Sequence, residues 1–458
     1  MIGICLRLMK RFHVGLLVGI ALPLIIASSF TGKAEATGKK IKIGIVGPMK
    51  FTRGEMVWLG SKLAADEINA AGGVNIGGEK YDIELIKADT NEYLSIPDAV
   101  STMEKLVTVD KVNFVVGGCR TEAVLAQQEV LADNKVIMIN AIGIAHPEVT
   151  VRVAKDYDRY KYWFRLHPSS ADGAGKVIMS NALMAAMKIR EQLGIQKPRI
   201  ALLMERAKWV DPIVAMAQKF LPKMGMEVVG VWRPSSMATD VAAELTAIKA
   251  AGAHVIFDIF SGPVGVTSSR QWGELKIPAA LAGFNTSAQR KEQWKETGGF
   301  CNYETTFHSI ARVEMSPKTI PFFDNFEAKY NKWPEQDAGN YDVIYFLKEA
   351  VERAGSLDPD LVVAELEKLE LPVTYGPRVV FYPKEEWTKT PRKAHSAMWA
   401  PGYITFLGVQ WRDGKLLTVW PEGKPVLGDK SWIGVRYKGT VDYELPPWVV
   451  KYWKGKNQ

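Results

Sequence analysis

The fold of this chain is decided by residues 41–48, whose sequence is IKIGIVGP. So short a run of mostly β-branched residues is typical of a buried strand, and the Gly-Pro pair at residues 47–48 ends it. A helical pattern follows over residues 59–68, and the sequence AAGG at residues 70–73 stops that helix. The stretch therefore predicts a strand, a turn and a helix in immediate succession.

The same alternation continues along the chain. Further strands are predicted at residues 83–86, 112–116 and 136–139, with helices at 96–107 and 122–132 between them. A second series places strands at residues 200–204, 227–232 and 255–259, with helices at 212–224 and 241–251. Strands and helices that alternate in this way form right-handed βαβ units with a mainly parallel sheet. The sequence thus predicts an α/β fold with two successive lobes that change over near residues 163–165.

Later segments follow a different rhythm. Helices are predicted at residues 322–330, 341–354 and 360–369, and Asp413-Gly414 indicates a tight hairpin. Residues 421–458 contain four prolines and are predicted to form an irregular extension. Trp399, Trp411 and Trp420 lie in alternating extended runs before it, and they are expected to pack the extension and not to form a second site.

The first 36 residues have the three parts of a secretory signal peptide. Lys10 and Arg11 precede an apolar run at residues 14–27, and Ala-Glu-Ala at residues 34–36 offers a cleavage site. The run is shorter than a typical membrane span, although a single retained anchor is the alternative. Removal of the signal leaves Cys119 and Cys301, which are predicted to be free because sequence alone supports no pairing.

Composition and motifs narrow the classes of function. The chain of 458 residues has a net charge of +8, but its basic residues are scattered, so no nucleic-acid partner is predicted. Zinc-protease, nucleophile-elbow, phosphate-loop and dinucleotide-binding motifs are all lacking, and no Cys/His spacing suits zinc. We therefore predict no catalytic site, no metal and no cofactor. A nucleophilic role for Cys119 beside Arg120 is the alternative to its role as a buried core residue.

Loops at the carboxyl ends of the predicted strands are the candidate binding elements, because ligands of open parallel sheets lie at that edge. Glycine and small polar residues in these loops offer backbone N–H groups to a small polar ligand, and a helix that starts there favours a carboxylate. The selected loops are residues 48–55, 117–122, 140–146, 204–211, 260–264 and 283–287.

The chain resembles the type I periplasmic binding proteins, and within them the leucine/isoleucine/valine-binding group. The distinctive motifs are IxIGxVGP at residues 41–48 and DEINAAGG at residues 66–73, and weaker similarity extends to about residue 420. The resemblance implies two doubly wound parallel-sheet lobes joined by a three-stranded hinge, which close on a small-molecule ligand. It also implies delivery of that ligand in the periplasm to an ABC transporter permease in the inner membrane.

The domain limits that the resemblance implies are specific. The first lobe is expected to contain residues 41–163 and 310–374, and the second lobe residues 166–306 and 377–420. The ligand-binding residues that it implies are Thr52, Arg53, Glu55, Cys119, Arg120, Thr121, Gly143, Ala145, Trp209, Ser261, Gly262 and Asn285.

One position departs from the family pattern. Amino-acid receptors of this family hold the ligand's ammonium with an acidic residue where this chain has Asn285, whose side chain carries no charge. Arg53 and Arg120 would in turn suit a carboxylate, so the expected ligand is a carboxylate or amide more than a plain aliphatic amino acid. The alternatives are that the arginines are solvated, that Trp209 is a core residue, and that Asn285 is offset by one or two positions.

Two rival functions remain open at this stage. A sensory or regulatory binding protein would have the same fold, since a fold does not determine its function. An enzyme on a similar two-lobed scaffold is the other alternative, and turnover of a bound ligand would distinguish it from a receptor.

Overall fold

The computed structural model describes residues 38–141, 144, 146–167, 171–398, 402–403, 406–423, 425–426, 429–433 and 435–456. The predicted signal peptide at residues 1–36 and the predicted ligand contacts Gly143 and Ala145 lie outside the described residues. None of the described helices is both long enough and apolar enough to cross a membrane.

The first lobe is built on a six-stranded sheet of order β2-β3-β1-β4-β5-β6, which is parallel except for the β2–β3 pair. The strand and the helix that the opening sequence predicted are present as β1 and α1, and their side chains share one core on one face of this sheet. The elements are β1 Lys40–Gly47, α1 Thr52–Ala70, β2 Val74–Ile76, β3 Glu79–Asp89, α2 Ile96–Thr108, β4 Phe114–Gly117, α3 Thr121–Asn134, β5 Ile137–Asn140, α4 Glu148–Lys155, α5 Tyr157–Tyr160 and β6 Trp163–Arg165.

The second lobe is built on a seven-stranded sheet of order β15-β14-β11-β10-β9-β7-β8, in which β14 is Leu407–Arg412 and β15 is Lys415–Trp420. Strands β7 to β11 are parallel, whereas β14 and β15 add an antiparallel hairpin at one edge. The elements before the hairpin are α6 Ala171–Leu193, β7 Arg199–Met204, α7 Asp211–Phe220, β8 Glu227–Trp232, α8 Ala242–Ala250, β9 Val255–Phe260, α9 Val264–Glu274, β10 Ala280–Asn285, α10 Gln293–Glu296 and β11 Thr305–His308. The fold class predicted from the sequence is confirmed.

After β11 the chain returns to the first lobe, and it remains part of that lobe well beyond residue 374, the limit that the sequence predicted. Side chains between Val373 and Ala397 belong to the cores of the first lobe, and Ser396 bridges to Arg165 at the edge of its sheet. The expected crossing near residues 374–377 is therefore wrong: the third crossing lies between Ala397 and Phe406, because the first lobe buries the apolar side chains up to that point. The elements of this return are α11 Thr319–Tyr330, α12 Asn340–Ala354, α13 Pro359–Leu366, β12 Leu371–Val373, β13 Gly376–Val379 and α14 Lys384–Lys389.

The C-terminal extension is more regular than the sequence indicated. Its helix packs on the second lobe, where the indole of Trp453 donates to the carbonyl oxygen of Pro278 at 2.6 Å. Trp448 donates in the same way to Ile277 at 2.9 Å. Of the tryptophans that were expected to pack the extension, Trp420 shares a core with Val449 and Trp453 of this helix, Trp411 packs instead with Ala288 and Cys301, and Trp399 lies outside the described residues. The expectation of an irregular tail is wrong. The elements are β14 Leu407–Arg412, β15 Lys415–Trp420, β16 Pro425–Val426, β17 Asp429–Ile433 and α15 Pro447–Lys456.

Candidate ligand-binding cleft

A cleft of about 380 Å³ lies between the carboxyl ends of the two parallel sheets. The first lobe lines it with residues that follow β1, β3 and β4: Phe51, Arg53, Tyr93, Leu94, Cys119, Arg120, Thr121 and Glu122, together with Gln336. The second lobe lines it with Ile178, Glu205, Arg206, Ala207, Lys208, Trp209, Ser236, Met237, Ser261, Gly262, Pro263, Phe284, Phe307 and Phe406. Both walls thus come mainly from the edge that the parallel-sheet rule selects.

The wall of the first lobe contains a buried carboxylate bound by backbone amides. The chain turns at Gly117, whose φ of +112° and close approach to Val46 exclude a side chain. After Gly118, the N–H groups of Cys119 and Arg120 donate to the two carboxylate oxygens of Glu92 at 3.1 Å each. Burial raises the pKa of Glu92 to about 7, although these N–H groups and the charge of Arg53 favour the ionised form.

Both arginines that were predicted to face an anion line the cleft, but each has partners within the first lobe. Arg53 donates from Nε and Nη2 to the carboxylate of Asp337 at 2.9 and 3.0 Å, and both side chains are buried. Arg120 donates to the carbonyl oxygens of Glu92 and Tyr93 at 3.2 and 3.1 Å, and its Nε lies 3.4 Å from Glu122. The expectation of two arginines available to an anion is therefore not supported.

The wall of the second lobe contains a similar carboxylate. The N–H groups of Ser261 and Gly262 donate to one oxygen of Glu205 at 2.9 and 3.0 Å, and the Ser261 hydroxyl donates to the other oxygen. The neighbouring side chain of Trp209 also favours the ionised form of this carboxylate. Burial raises the pKa of Glu205, and its hydrogen bonds oppose that shift.

Aromatic rings cover much of the remaining wall. In the second lobe Trp209 meets Phe284 edge to face at 5.7 Å, and Phe284 meets Phe307 in the same way at 5.4 Å. Across the cleft the rings of Phe51 and Tyr93 are 5.0 Å apart. Such surfaces suit the apolar body of a ligand, while the few polar groups orient it.

Seven of the predicted ligand-binding residues line the cleft: Arg53, Cys119, Arg120, Thr121, Trp209, Ser261 and Gly262. Thr52 and Glu55, in the first turn of α1, are not in the described lining, and the carboxylate of Glu55 instead lies 2.7 Å from Lys332 Nζ. Burial raises the pKa of Cys119, so its thiol is protonated at neutral pH.

Asn285 lies inside the second lobe and not in the described lining of the cleft. Its amide nitrogen donates to Ser269 Oγ at 3.0 Å and to Glu304 Oε1 at 2.8 Å, and its side-chain oxygen accepts from the N–H of Ser287. The prediction that this side chain faces the ligand is wrong, since its hydrogen bonds are made with the polar interior of the lobe.

Sequence reasoning missed several lining residues for identifiable reasons. Tyr93 and Leu94 follow β3, which extends to Asp89 beyond the predicted strand, so that loop was not selected. Glu205 and Phe284 lie in two of the selected loops, but an acidic side chain and a ring were not expected to form the wall. Phe307 lies in β11 and Phe406 lies just before β14, both next to segments that cross between the lobes. No local sequence signal shows that these two rings line the cleft.

Metal-binding geometry is not found in the described part of the chain, where no group of three or more His, Cys, Asp or Glu side chains could hold an ion. Cys119 and Cys301 are both buried and free of any disulfide.

Two α/β lobes with a lined cleft between their sheets define a two-lobed solute-binding protein. The sequence matches the periplasmic binding protein family over residues 40–398. The chain belongs to this family, and it functions as a solute-binding receptor.

Relatives and structural neighbours agree with this assignment. The chain is 27% identical to an amino acid binding protein of Pseudomonas aeruginosa, with 83% of this chain and 93% of the relative covered. The branched-chain amino acid transporter substrate binding protein LivJ from Streptococcus pneumoniae, in complex with isoleucine, has a TM-score of 0.66 at 22% identity, covering 84% of this chain and 100% of LivJ. A solute binding protein of an ABC transporter from Rhodopseudomonas palustris, in complex with 3,4-dihydroxybenzoic acid, has a TM-score of 0.66 at 19% identity, covering 82% and 95%.

Proposed function

We propose that this chain is the periplasmic receptor of an ABC importer, and that it presents a small solute to a permease in the inner membrane. The observation that carries the proposal is the cleft itself, whose two walls come from different lobes and follow the carboxyl ends of both sheets. Hinge closure around such a cleft binds the ligand and changes the surface that a permease contacts. The family assignment supports the same conclusion.

We further propose that the ligand has a planar or branched apolar body. The facing rings of Phe51 and Tyr93 on one wall and of Trp209 and Phe284 on the other support this choice. The structural neighbours include one receptor with isoleucine and one with a dihydroxybenzoic acid, so both body shapes occur on this fold.

A free ammonium group is the less favoured ligand feature. Glu122 and Glu205 are the acidic side chains in the described lining of the cleft. Glu205 already accepts several hydrogen bonds, and Glu122 lies beside Arg120. We therefore expect zwitterionic amino acids to bind less tightly than solutes of similar shape without the ammonium group.

The experiment is a thermal-shift and calorimetric screen of the purified mature chain with amino acids, aromatic acids, aromatic amides and branched amides. A true ligand at 100 times its Kd stabilises the folded state by about 2.7 kcal/mol, which raises the melting temperature clearly. Mass spectrometry of the ligand after incubation should show it unchanged, since we propose binding without turnover.

Trp209→Ala provides the test of location. Loss of a central aromatic contact should weaken binding by roughly 30-fold or more. The control is Phe220→Ala, because Phe220 is a 40% exposed ring on α7 that is not in the described lining of the cleft. Equal effects of the two substitutions, or turnover of the ligand, would contradict the proposal.

A further inference from the structure

We propose that Glu92 is a specificity-determining residue: its carboxylate fills the amide site at the start of α3, so that the cleft selects uncharged solutes over carboxylates. The inference rests on the proposed receptor function and names the ligand class of the same cleft.

The backbone donors at the start of α3 are already occupied. The N–H groups of Cys119 and Arg120 lie just before α3, where the positive end of a helix dipole favours an anion. Each already donates to one oxygen of Glu92, which has no exposed surface. A ligand carboxylate would have to displace a buried side chain of the protein before it could use these donors.

The charges on the same wall also disfavour a ligand carboxylate. The charge of Arg53 is compensated by the buried carboxylate of Asp337. Arg120 lies beside Glu122 and donates to backbone carbonyl oxygens. Ionised Glu92 then adds a negative charge directly behind the lining, which repels a ligand carboxylate most strongly where water is excluded.

The other cationic side chains of the described lining do not change this balance. Arg206 and Lys208 are exposed, and Lys208 lies 3.5 Å from Glu148 of the opposite lobe. Charges in water are screened, so they attract ions to the entrance without holding a carboxylate inside.

The second lobe repeats the arrangement. Its equivalent amides, at Ser261 and Gly262, donate to Glu205. A carboxylate ligand would therefore meet an internal carboxylate on each wall. The buried hydroxyl of Thr121 remains as a neutral group that can donate to or accept from an amide or alcohol.

The first test compares affinities for matched pairs, benzamide with benzoate and isovaleramide with isovalerate, at pH 8.5. We expect the natural chain to bind the better amide at least about 10-fold more tightly than its acid, since a charged group without a partner costs that much or more. Glu92→Gln should reduce this preference by about 10-fold, because it removes the repelling charge and keeps the side-chain volume. The matched control is Glu55→Gln, which removes one carboxylate outside the described lining and should leave the preference unchanged.

The second test needs no natural ligand. Glu92→Ala exposes the N–H groups of Cys119 and Arg120, so acetate should rescue the variant with a saturable rise in melting temperature of about 2 °C or more. The natural chain, Glu92→Gln and Glu55→Ala should show no saturable response, because in each of them the amide site remains filled.

The outcomes separate the two proposals. If the natural chain binds benzoate or isovalerate as tightly as the amide, or if Glu92→Gln leaves the preference unchanged, the role of Glu92 is overturned while the receptor function stands. If the folded natural chain binds no solute in the screen and none in the paired-affinity test, the receptor function is contradicted. The acetate rescue of Glu92→Ala then still decides whether Glu92 fills an anion site. If Glu92→Ala fails to fold, the Glu92→Gln preference decides it alone.

Discussion

The two walls of the cleft share one device and differ in what surrounds it. In each lobe a buried glutamate accepts hydrogen bonds from successive N–H groups at a strand-to-helix loop, Glu92 in the first lobe and Glu205 in the second. Glu92 lies near the ion pair of Arg53 and Asp337, whereas Glu205 lies beside Trp209. The first wall is therefore electrostatically organised, and the second is organised by aromatic packing.

This difference shows how one scaffold can orient a ligand with a polar end and an apolar body. The backbone amides are occupied in both lobes, so discrimination falls to the side chains around them. The charges of the first wall determine which polar group of a ligand can bind, and the rings of the second wall determine which shape of the ligand's apolar body fits. The lobes should consequently respond differently when their central residues are changed.

The largest expected effect is that of Arg53→Met. The substitution leaves the carboxylate of Asp337, which is 1% exposed, without its two charged hydrogen bonds. Breaking a buried ion pair on one side costs about 3–5 kcal/mol of unfolding free energy, measurable by urea denaturation. Asp337→Asn combined with Arg53→Met should recover part of this loss.

A matched control for this prediction is Arg353→Met, which breaks the partly exposed pair of Arg353 with Glu349 in α12. Exposed pairs contribute about 0–1 kcal/mol, so the two substitutions should differ severalfold. Similar losses from both variants would show that the buried pair does not organise the first wall.

The fold was predictable from local signals, because each strand and helix of the βαβ units has its own pattern. The third crossing was not, since only the three-dimensional core shows that side chains up to Ala397 pack in the first lobe. Helix α15 was not predicted because prolines precede it in the sequence. Its position depends on the indole N–H groups of Trp448 and Trp453, which donate to carbonyl oxygens of the loop at Ile277 and Pro278.

The candidate site was predictable as a set of loops but less so as a set of interactions. The parallel-sheet rule selected the loops that contain Cys119, Trp209 and Ser261. It could not show that Glu92 occupies the amides, because that contact joins residues 27 positions or more apart in the sequence. It also could not show that Asn285 faces inward, since either direction of the side chain is compatible with the local sequence.

A smaller effect should distinguish the buried carboxyls of the two lobes. Burial raises the pKa of Glu304, in the second lobe, to about 7, as it does for Glu92. A carboxyl whose pKa is raised from 4.5 contributes stability that is present below pH 4.5 and is lost as the pH rises through about 7. The loss is of the order of 3 kcal/mol for a shift of this size.

Glu304→Gln imitates the protonated carboxyl. We therefore expect the effect of this substitution on the unfolding free energy to be about 1–3 kcal/mol more favourable at pH 8 than at pH 5. Glu92→Gln should show a similar gain between pH 5 and pH 8, because the pKa of Glu92 is also raised to about 7, but it should be less stable than Glu304→Gln at both pH values, because a glutamine offers a single acceptor oxygen to the two backbone N–H groups that Glu92 satisfies. Urea denaturation at the two pH values measures both. Equal unfolding free energies of the two variants at both pH values would contradict the contrast between the lobes.

The smallest expected effect concerns the ion pair that joins the walls, Lys208 of the second lobe with Glu148 of the first. Their atoms are 3.5 Å apart and both side chains are nearly half exposed, so the pair contributes less than about 1 kcal/mol. Lys208→Ala should speed ligand dissociation by roughly fivefold at most in low salt, and the difference should vanish near 0.5 M salt because screening removes the attraction. Stopped-flow fluorescence measures the rate, and Lys105→Ala, which breaks a pair within the first lobe, is the control. A large or salt-independent effect would mean that Lys208 contacts the ligand and does not merely join the lobes.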